Sequence, residues 1–233
     1  MKKILFAAAA AMTLVSPALA ADMRAPVMKA PVAPPIANWS GCYIGAQGGY
    51  AWGTTGYDLN IPATPNSGFD FDVNGGVAGG HLGCNMQFNQ WVLGIEGDIE
   101  WNGIRGDDGG RAGTIDKISG NWGASLRGRL GFAMGPTLFY ATGGVAWLDV
   151  DYSRPDFDSQ VISKTLTGWT IGGGIEHAFA GNWTARVEYR FARFDSEGFA
   201  FTTGTQRTLR DLEVNAVRVG LSYKFGGMYG GPY

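Results

Sequence analysis

The chain has 233 residues and a formal net charge of −2, which becomes −4 once Lys2 and Lys3 leave with a leader, so nothing points to nucleic acid as a partner. No long apolar run follows the N-terminus, which excludes a membrane protein built from helices, and the length fits one domain. In chain order, residues 1–20 have the pattern of a secretory signal. Lys2 and Lys3 give the positive start, Ile4 to Val15 the apolar core, and Ala18-Leu19-Ala20 a small-x-small site with cleavage after Ala20. Residues 21–38, with Pro26, Pro31, Pro34 and Pro35, predict an extended periplasmic linker.

From Trp39 to Phe225 helical periodicity is almost absent and two-residue alternation recurs. It predicts strands over approximately 42–53, 73–86, 91–103, 118–132, 138–150, 168–179, 183–194 and 213–225. Most are long for globular strands and suit tilted strands crossing a bilayer. The connections alternate. Short ones fall at 87–90, 134–136 and 180–182, long polar ones at 54–72, 104–117, 151–167 and 195–212. This sorting predicts an all-β fold, an eight-stranded antiparallel up-and-down barrel spanning 39–225, followed by a tail at 226–233.

The alternation separates two faces. In WVLGIEGDIEWNG, Leu93, Ile95, Ile99 and Trp101 oppose Glu96, Asp98 and Glu100. The next strand sets Trp122, Leu126, Leu130 and Phe132 against Asn121, Ser125, Arg127 and Arg129. Apolar faces turned inward would make a lipocalin-like container; turned outward, they meet lipid and the charges fill the lumen. The outward assignment is favoured by aromatics that end the apolar faces (Trp52, Trp101, Trp147, Trp183, Tyr223 and Phe225) and by polar faces of balanced charge rich in glycine. The lumen would then hold Glu96, Asp98, Glu100, Arg127, Arg129, Glu176, Arg186, Glu188, Arg190, Arg218 and Lys224, with Glu96 facing Arg129 and Asp98 facing Arg127 across one hairpin. Such a network either specifies the fold or gates a narrow ion path; the small bore of eight strands favours the first.

Cys42 and Cys84 share the outward face in a register that also pairs Ile44 with Leu82 and Trp52 with Asn74, and an oxidising compartment predicts a disulfide between them. By parity His81 faces the lumen and His177 the outside, so the two histidines form neither a metal site nor one catalytic constellation. The glycines at 143–144 and 172–174 lie inside strands as close-packing positions. The acidic run at 107–110 reads as a solvated loop rather than a cation site, and the sequons at Asn38 and Asn182 carry no weight.

The segments WSGCYIGAQGGYAWG, GGVAGGHLGCNMQF, WVLGIEGDIEWNG, SLRGRLGF, LFYATGGVAW, GWTIGGGIEHAF, NWTARVEYRF and VRVGLSYKF resemble the small outer-membrane β-barrel proteins of alphaproteobacteria, the porin-family or opacity-type surface proteins. The resemblance implies an outer-membrane barrel with a structural and surface role, no catalytic residues and no cofactor. It also implies contact with outer-membrane lipids, with the barrel-assembly machinery through the phenylalanine at Phe225, and with host or surface ligands through the long loops. The chain departs from the family in placing His177 where an aromatic is usual, and in the tail after Phe225. The expectation is a monomeric outer-membrane barrel that is not an enzyme. A narrow ion or small-solute channel, a lipid-modifying enzyme and an adhesin acting through the loops are the competing readings.

Overall fold

The computed structural model describes residues 37–59, 67–107, 109, 117–154, 158–200, 206–209 and 211–226. The leader with its cleavage site at Ala20, and residues 21–36 of the linker, lie outside them. The strands are β1 (Gly41–Leu59), β2 (Ser67–Phe88), β3 (Trp91–Asn102), β4 (Arg105–Asp107), β5 (Lys117–Met134), β6 (Thr137–Arg154), β7 (Asp158–Ala180), β8 (Trp183–Phe194), β9 (Glu197–Ala200), β10 (Gln206–Leu209) and β11 (Leu212–Lys224). Three of these are short continuations: β4 carries on β3, β9 carries on β8, and β10 leads into β11. Eight antiparallel staves remain, and β1 pairs with both β2 and β11, so the ring of staves closes; at the far end, among the described residues, β9 pairs with β10 alone and β7 before Gly168 with β6 alone.

The register shows how the ring closes. Ile44 leads sideways to Leu82, Gly97, Leu126, Val145, Trp169, Arg193 and Glu213, and the row returns to β1 at Thr54, ten residues above its start. A ten-residue stagger over eight strands tilts them by about 41° and sets a backbone radius of ~8 Å. That bore is narrow enough for side chains from opposite walls to meet.

The two-residue turns lie at one end, after Phe88, Met134 and Ala180, each with its first residue at positive φ: Asn89 (55°), Gly135 (59°) and Gly181 (53°). At the other end the strands run further than their polar composition indicated. The expected long connections at 54–72 and 151–167 are largely strand, β1 and β2 pairing out to Leu59 and Ser67, and β6 and β7 to Arg154 and Asp158. Beyond the lipid the outward face turns polar, while the inward face keeps buried apolar residues such as Phe71, Tyr152 and Leu166. An outward face without its aliphatic and aromatic residues makes the composition mimic a loop.

Two further expectations are corrected. The β3–β5 register is two residues away from the one expected: Glu96 faces Arg127, Asp98 faces Ser125, and Arg129 faces Gly94. A slip of two keeps every side chain on its own face, so alternation cannot detect it. The observed register stacks Trp91 edge-on against Phe132 (ring centroids 5.3 Å apart) and sets Trp101 opposite Trp122. Asn121 also leaves the lumen. A bulge between Gly120 and Gly123 turns it outward, where its amide donates to Asp149 Oδ2 at 3.2 Å.

Burial follows the alternation. Ile95 is 65% exposed and its neighbour Glu96 1%. The outer surface carries aromatics at two levels. Trp91, Trp183, Tyr223 and Phe225 lie towards the turns, and Trp52, Trp101, Trp122, Trp147 and Trp169 lie towards the far end. All of them are exposed except Trp147, which is half-buried. The ten residues from Trp91 to Trp101, tilted as above, span ~25 Å, the height of the apolar band of an outer-membrane barrel.

Candidate functional site

The lumen is layered, and the inward face of β6 shows the order. From the turn end it reads Leu138, Tyr140, Thr142, then Ala146, Leu148, Val150 and Tyr152, all buried. An apolar layer at the turn end contains Ala37, Trp39, Val92, Ala133, Leu138 and Ala178, with Tyr140 at its edge. Trp39 is held there by its backbone N–H, which donates to Gln87 Oε1 at 2.7 Å, while the Gln87 N–H donates to Ser40 Oγ at 2.9 Å. The chain just before β1 therefore folds into the mouth, and Ala37, the penultimate residue of the expected linker, is fully buried. A larger apolar layer fills the far half, among it Phe71, Ile104, Ile118, Leu148, Tyr152, Leu166, Phe194 and Leu212.

Between them lies the charged layer, with Arg127 at its centre. Its Nε donates to Ser125 Oγ (3.0 Å), Nη1 to Thr142 Oγ1 (3.1 Å) and Glu188 Oε1 (3.0 Å), and Nη2 to Glu96 Oε1 (2.5 Å) and Asp98 Oδ2 (3.0 Å). All five guanidinium N–H groups thus have acceptors. Glu96 Oε2 also receives Arg186 Nη1 (2.5 Å) and the Tyr43 hydroxyl (2.6 Å). Arg129 pairs with Glu176, which also accepts from Thr184. Arg190 spans Asp98 and Glu188, and Arg218 grips Glu100 through Nε and Nη2 at 3.1 and 2.6 Å. Five guanidinium groups meet five carboxylates, all at most 7% exposed. Charges buried in a narrow bore persist when paired and hydrogen-bonded; each guanidinium group of this layer has a carboxylate partner, while Arg129 Nε and Arg218 Nη1 make no hydrogen bond. Lys224 is buried at the turn-end edge of the layer, opposite Tyr43 in the register.

Parity sends the charged side chains inward, but their partners were not evident from the sequence. Tyr43 and Tyr140 bracket the Arg129 guanidinium, whose carbon sits 3.8 Å from the Tyr140 ring centroid. Both tyrosines lie over inward glycines: a Cβ on Gly83 would sit 2.5 Å from the Tyr43 hydroxyl, and one on Gly174 2.7 Å from that of Tyr140. Gln47 accepts from Arg186 Nη2 at 2.7 Å. His81 Nε2 lies 2.8 Å from Ser222 Oγ, both buried in the lumen. A cavity of about 40 Å³ beside Arg218, lined also by Asp98, Glu100, Ser125, Thr170 and Arg190, has room for a water or two.

On the outer surface, Cys42 and Cys84 are disulfide-bonded across the β1–β2 ladder, facing away from the lumen. His177 is also exposed, its Nδ1 2.9 Å from Thr137 Oγ1. In the acidic run after β4, Asp107 and Gly109 are described and Asp108 and Gly110 lie outside the described residues. Among the described residues no group of three or more His, Cys, Asp or Glu side chains is arranged to hold a metal ion.

The profile of the outer membrane protein beta-barrel domain matches residues 6–225. The chain is 35% identical over 197 residues to the 22 kDa outer membrane protein of Rhizobium leguminosarum bv. viciae, covering 84% of this chain and 82% of that one. It is 33% identical over 244 residues to the 31 kDa outer-membrane immunogenic protein of Brucella melitensis biotype 1, covering 97% of this chain and 100% of that one. Among solved structures it is similar to Neisserial surface protein A, with a TM-score of 0.44 at 13% identity, covering 80% of this chain and 98% of that one.

Proposed function

Because the chain belongs to the outer membrane protein beta-barrel domain family, and so resides in the outer membrane, we propose that it is a sealed barrel with a structural and surface role, neither a pore nor an enzyme. The layered lumen carries this reading. An ion crossing the barrel would have to open buried Arg–carboxylate contacts and leave their charges unpaired in a narrow bore. It would then have to part an apolar layer on either side of them. No moving element is needed for a protein whose task is to present a rigid outer end and hold its place in the envelope.

Catalysis has little support in the arrangement. The His81–Ser222 pair is buried inside the wall, away from any substrate path, and His177 is partnered by a threonine at the turn end. Pairing around the ring of eight staves favours a monomer, since the membrane-spanning part of each described strand has a neighbour on both sides. The Brucella relatives are named immunogenic, which supports exposure of the far end at the surface and leaves contact with host ligands as a second role for the tips.

Planar-bilayer recording of the refolded protein and of Arg129→Ala tests the reading. Silence from both is expected, because removing one guanidinium leaves the apolar layers in place. Steady discrete currents that Arg129→Ala alters would replace the sealed barrel with a gated channel.

A further inference from the structure

The outer surface is not evenly covered. A groove of about 760 Å³ crosses β7, β8, β11 and β1 at mid-wall. Its floor is two adjacent rows of the sheet. One runs His177, Ala185, Leu221, Ala46, and the other Ile175, Val187, Val219, Gly48. The small residues Ala185, Ala46 and Gly48 create the depression. In the neighbouring rows stand Trp183 and Tyr223, edge-on at 5.3 Å, on the turn side, and Tyr189, Val217 and Tyr50 on the other. Rows climb as they pass around this barrel, ten residues per circuit, so the groove rises obliquely from His177 towards the middle of the bilayer. Three strand spacings make it ~14 Å long, and at the slope of the rows it climbs ~9 Å through one leaflet's hydrocarbon layer.

The groove has one polar end. His177 lies one row inside the aromatics nearest the turns, where glycerol esters and phosphates give way to acyl chains. Its Nδ1 is bound to Thr137 Oγ1 at 2.9 Å. In either tautomer the pair keeps one proton that the two side chains do not share, on Nε2 or on the threonine hydroxyl. A donor in lipid needs an acceptor, and the polar groups of a glycerophospholipid nearest its acyl chains are acceptors: ester carbonyls and phosphate oxygens.

We propose that this groove holds one glycerophospholipid of the periplasmic leaflet, its acyl chain lying over Ala185, Ala46 and Gly48 and its ester or phosphate oxygen accepting from the His177–Thr137 pair. The site rests on the membrane reading above and adds a specific lipid to it. It gives a reason for a histidine on a face made mostly of aliphatic and aromatic side chains.

The test uses the full-length protein in vesicles of phosphatidylethanolamine and phosphatidylglycerol doped with a phosphatidylethanolamine that carries a photoactivatable diazirine on one acyl chain. Cross-links mapped by mass spectrometry should concentrate severalfold on segments 44–50 and 217–223 relative to the opposite wall at 124–130. His177→Leu should abolish the excess and His177→Gln, which keeps a donor, should retain part of it. Gly48→Leu should abolish it by filling the groove, since a Cβ there meets nothing nearer than Val77 O at 3.6 Å and leaves the barrel intact. Labelling spread evenly around the barrel, or unchanged in His177→Leu, would mean ordinary annular lipid only and would overturn the site. Failure of the wild-type protein to insert would instead count against the membrane reading itself.

Discussion

Replacing Arg127 with methionine, which keeps much of the volume and none of the charge, perturbs the charged layer at its centre. The change removes five hydrogen bonds and leaves five carboxylates facing four guanidinium groups. None of the three carboxylates that lose Arg127 is left alone. Glu96 keeps Arg186, and Asp98 and Glu188 keep Arg190. The cost should therefore be that of one uncompensated buried charge, about 3–5 kcal/mol, rather than three times that. Adding Glu96→Gln restores the balance of charge, and the double variant should be more stable than the sum of the single changes by about 1–3 kcal/mol. Arg193→Met provides the contrast. Its partners Asp211 and Glu213 lie on the outside, with side chains 38 and 47% exposed, so its loss should cost far less than that of Arg127. Equilibrium urea unfolding in lipid vesicles, followed by tryptophan fluorescence, gives all four values. If Arg127→Met costs no more than Arg193→Met, or if the double variant is simply additive, the lumen does not work as a coupled, charge-matched layer.

Trp39→Ala should destabilise the barrel by about 3–5 kcal/mol in the same unfolding assay, because it empties the apolar layer at the turn end; a cost below about 1 kcal/mol would show that the segment before β1 only rests on the mouth. Gly45→Val should block assembly, read as loss of the compact heat-modifiable band on gels, since a Cβ there collides with the His81 ring and the Leu221 carbonyl. The double change Cys42→Ser, Cys84→Ser should lower stability by at most about 4 kcal/mol, the chain-entropy value for a loop closed over 42 residues, while leaving the fold intact by circular dichroism.

The sequence by itself settled what depends on neighbouring residues. Alternation decided that Glu96 points one way and Ile95 the other, because consecutive side chains of a strand must take opposite faces wherever the strand lies. The same rule assigned Arg186, Glu188 and Arg190 to one face and His177 to the other, and the sorting of connections identified the barrel. Trp91, Trp122 and Trp169 could have joined the expected aromatic levels by parity alone. The remaining features depend on the whole ring. A two-residue slip leaves every face unchanged, so the pairing of Glu96 with Arg127 goes with the Trp91–Phe132 ring contact and the bulge that expels Asn121, features of the paired strands. The salt bridge of Arg127 to Glu188 joins residues 61 apart in the chain across the bore, and no local pattern encodes that distance. Likewise, the apolar layers that seal the charged one arise only when the inward faces of all the strands are brought to common heights. Side-chain direction is a property of the strand, whereas height and partnership are properties of the closed barrel.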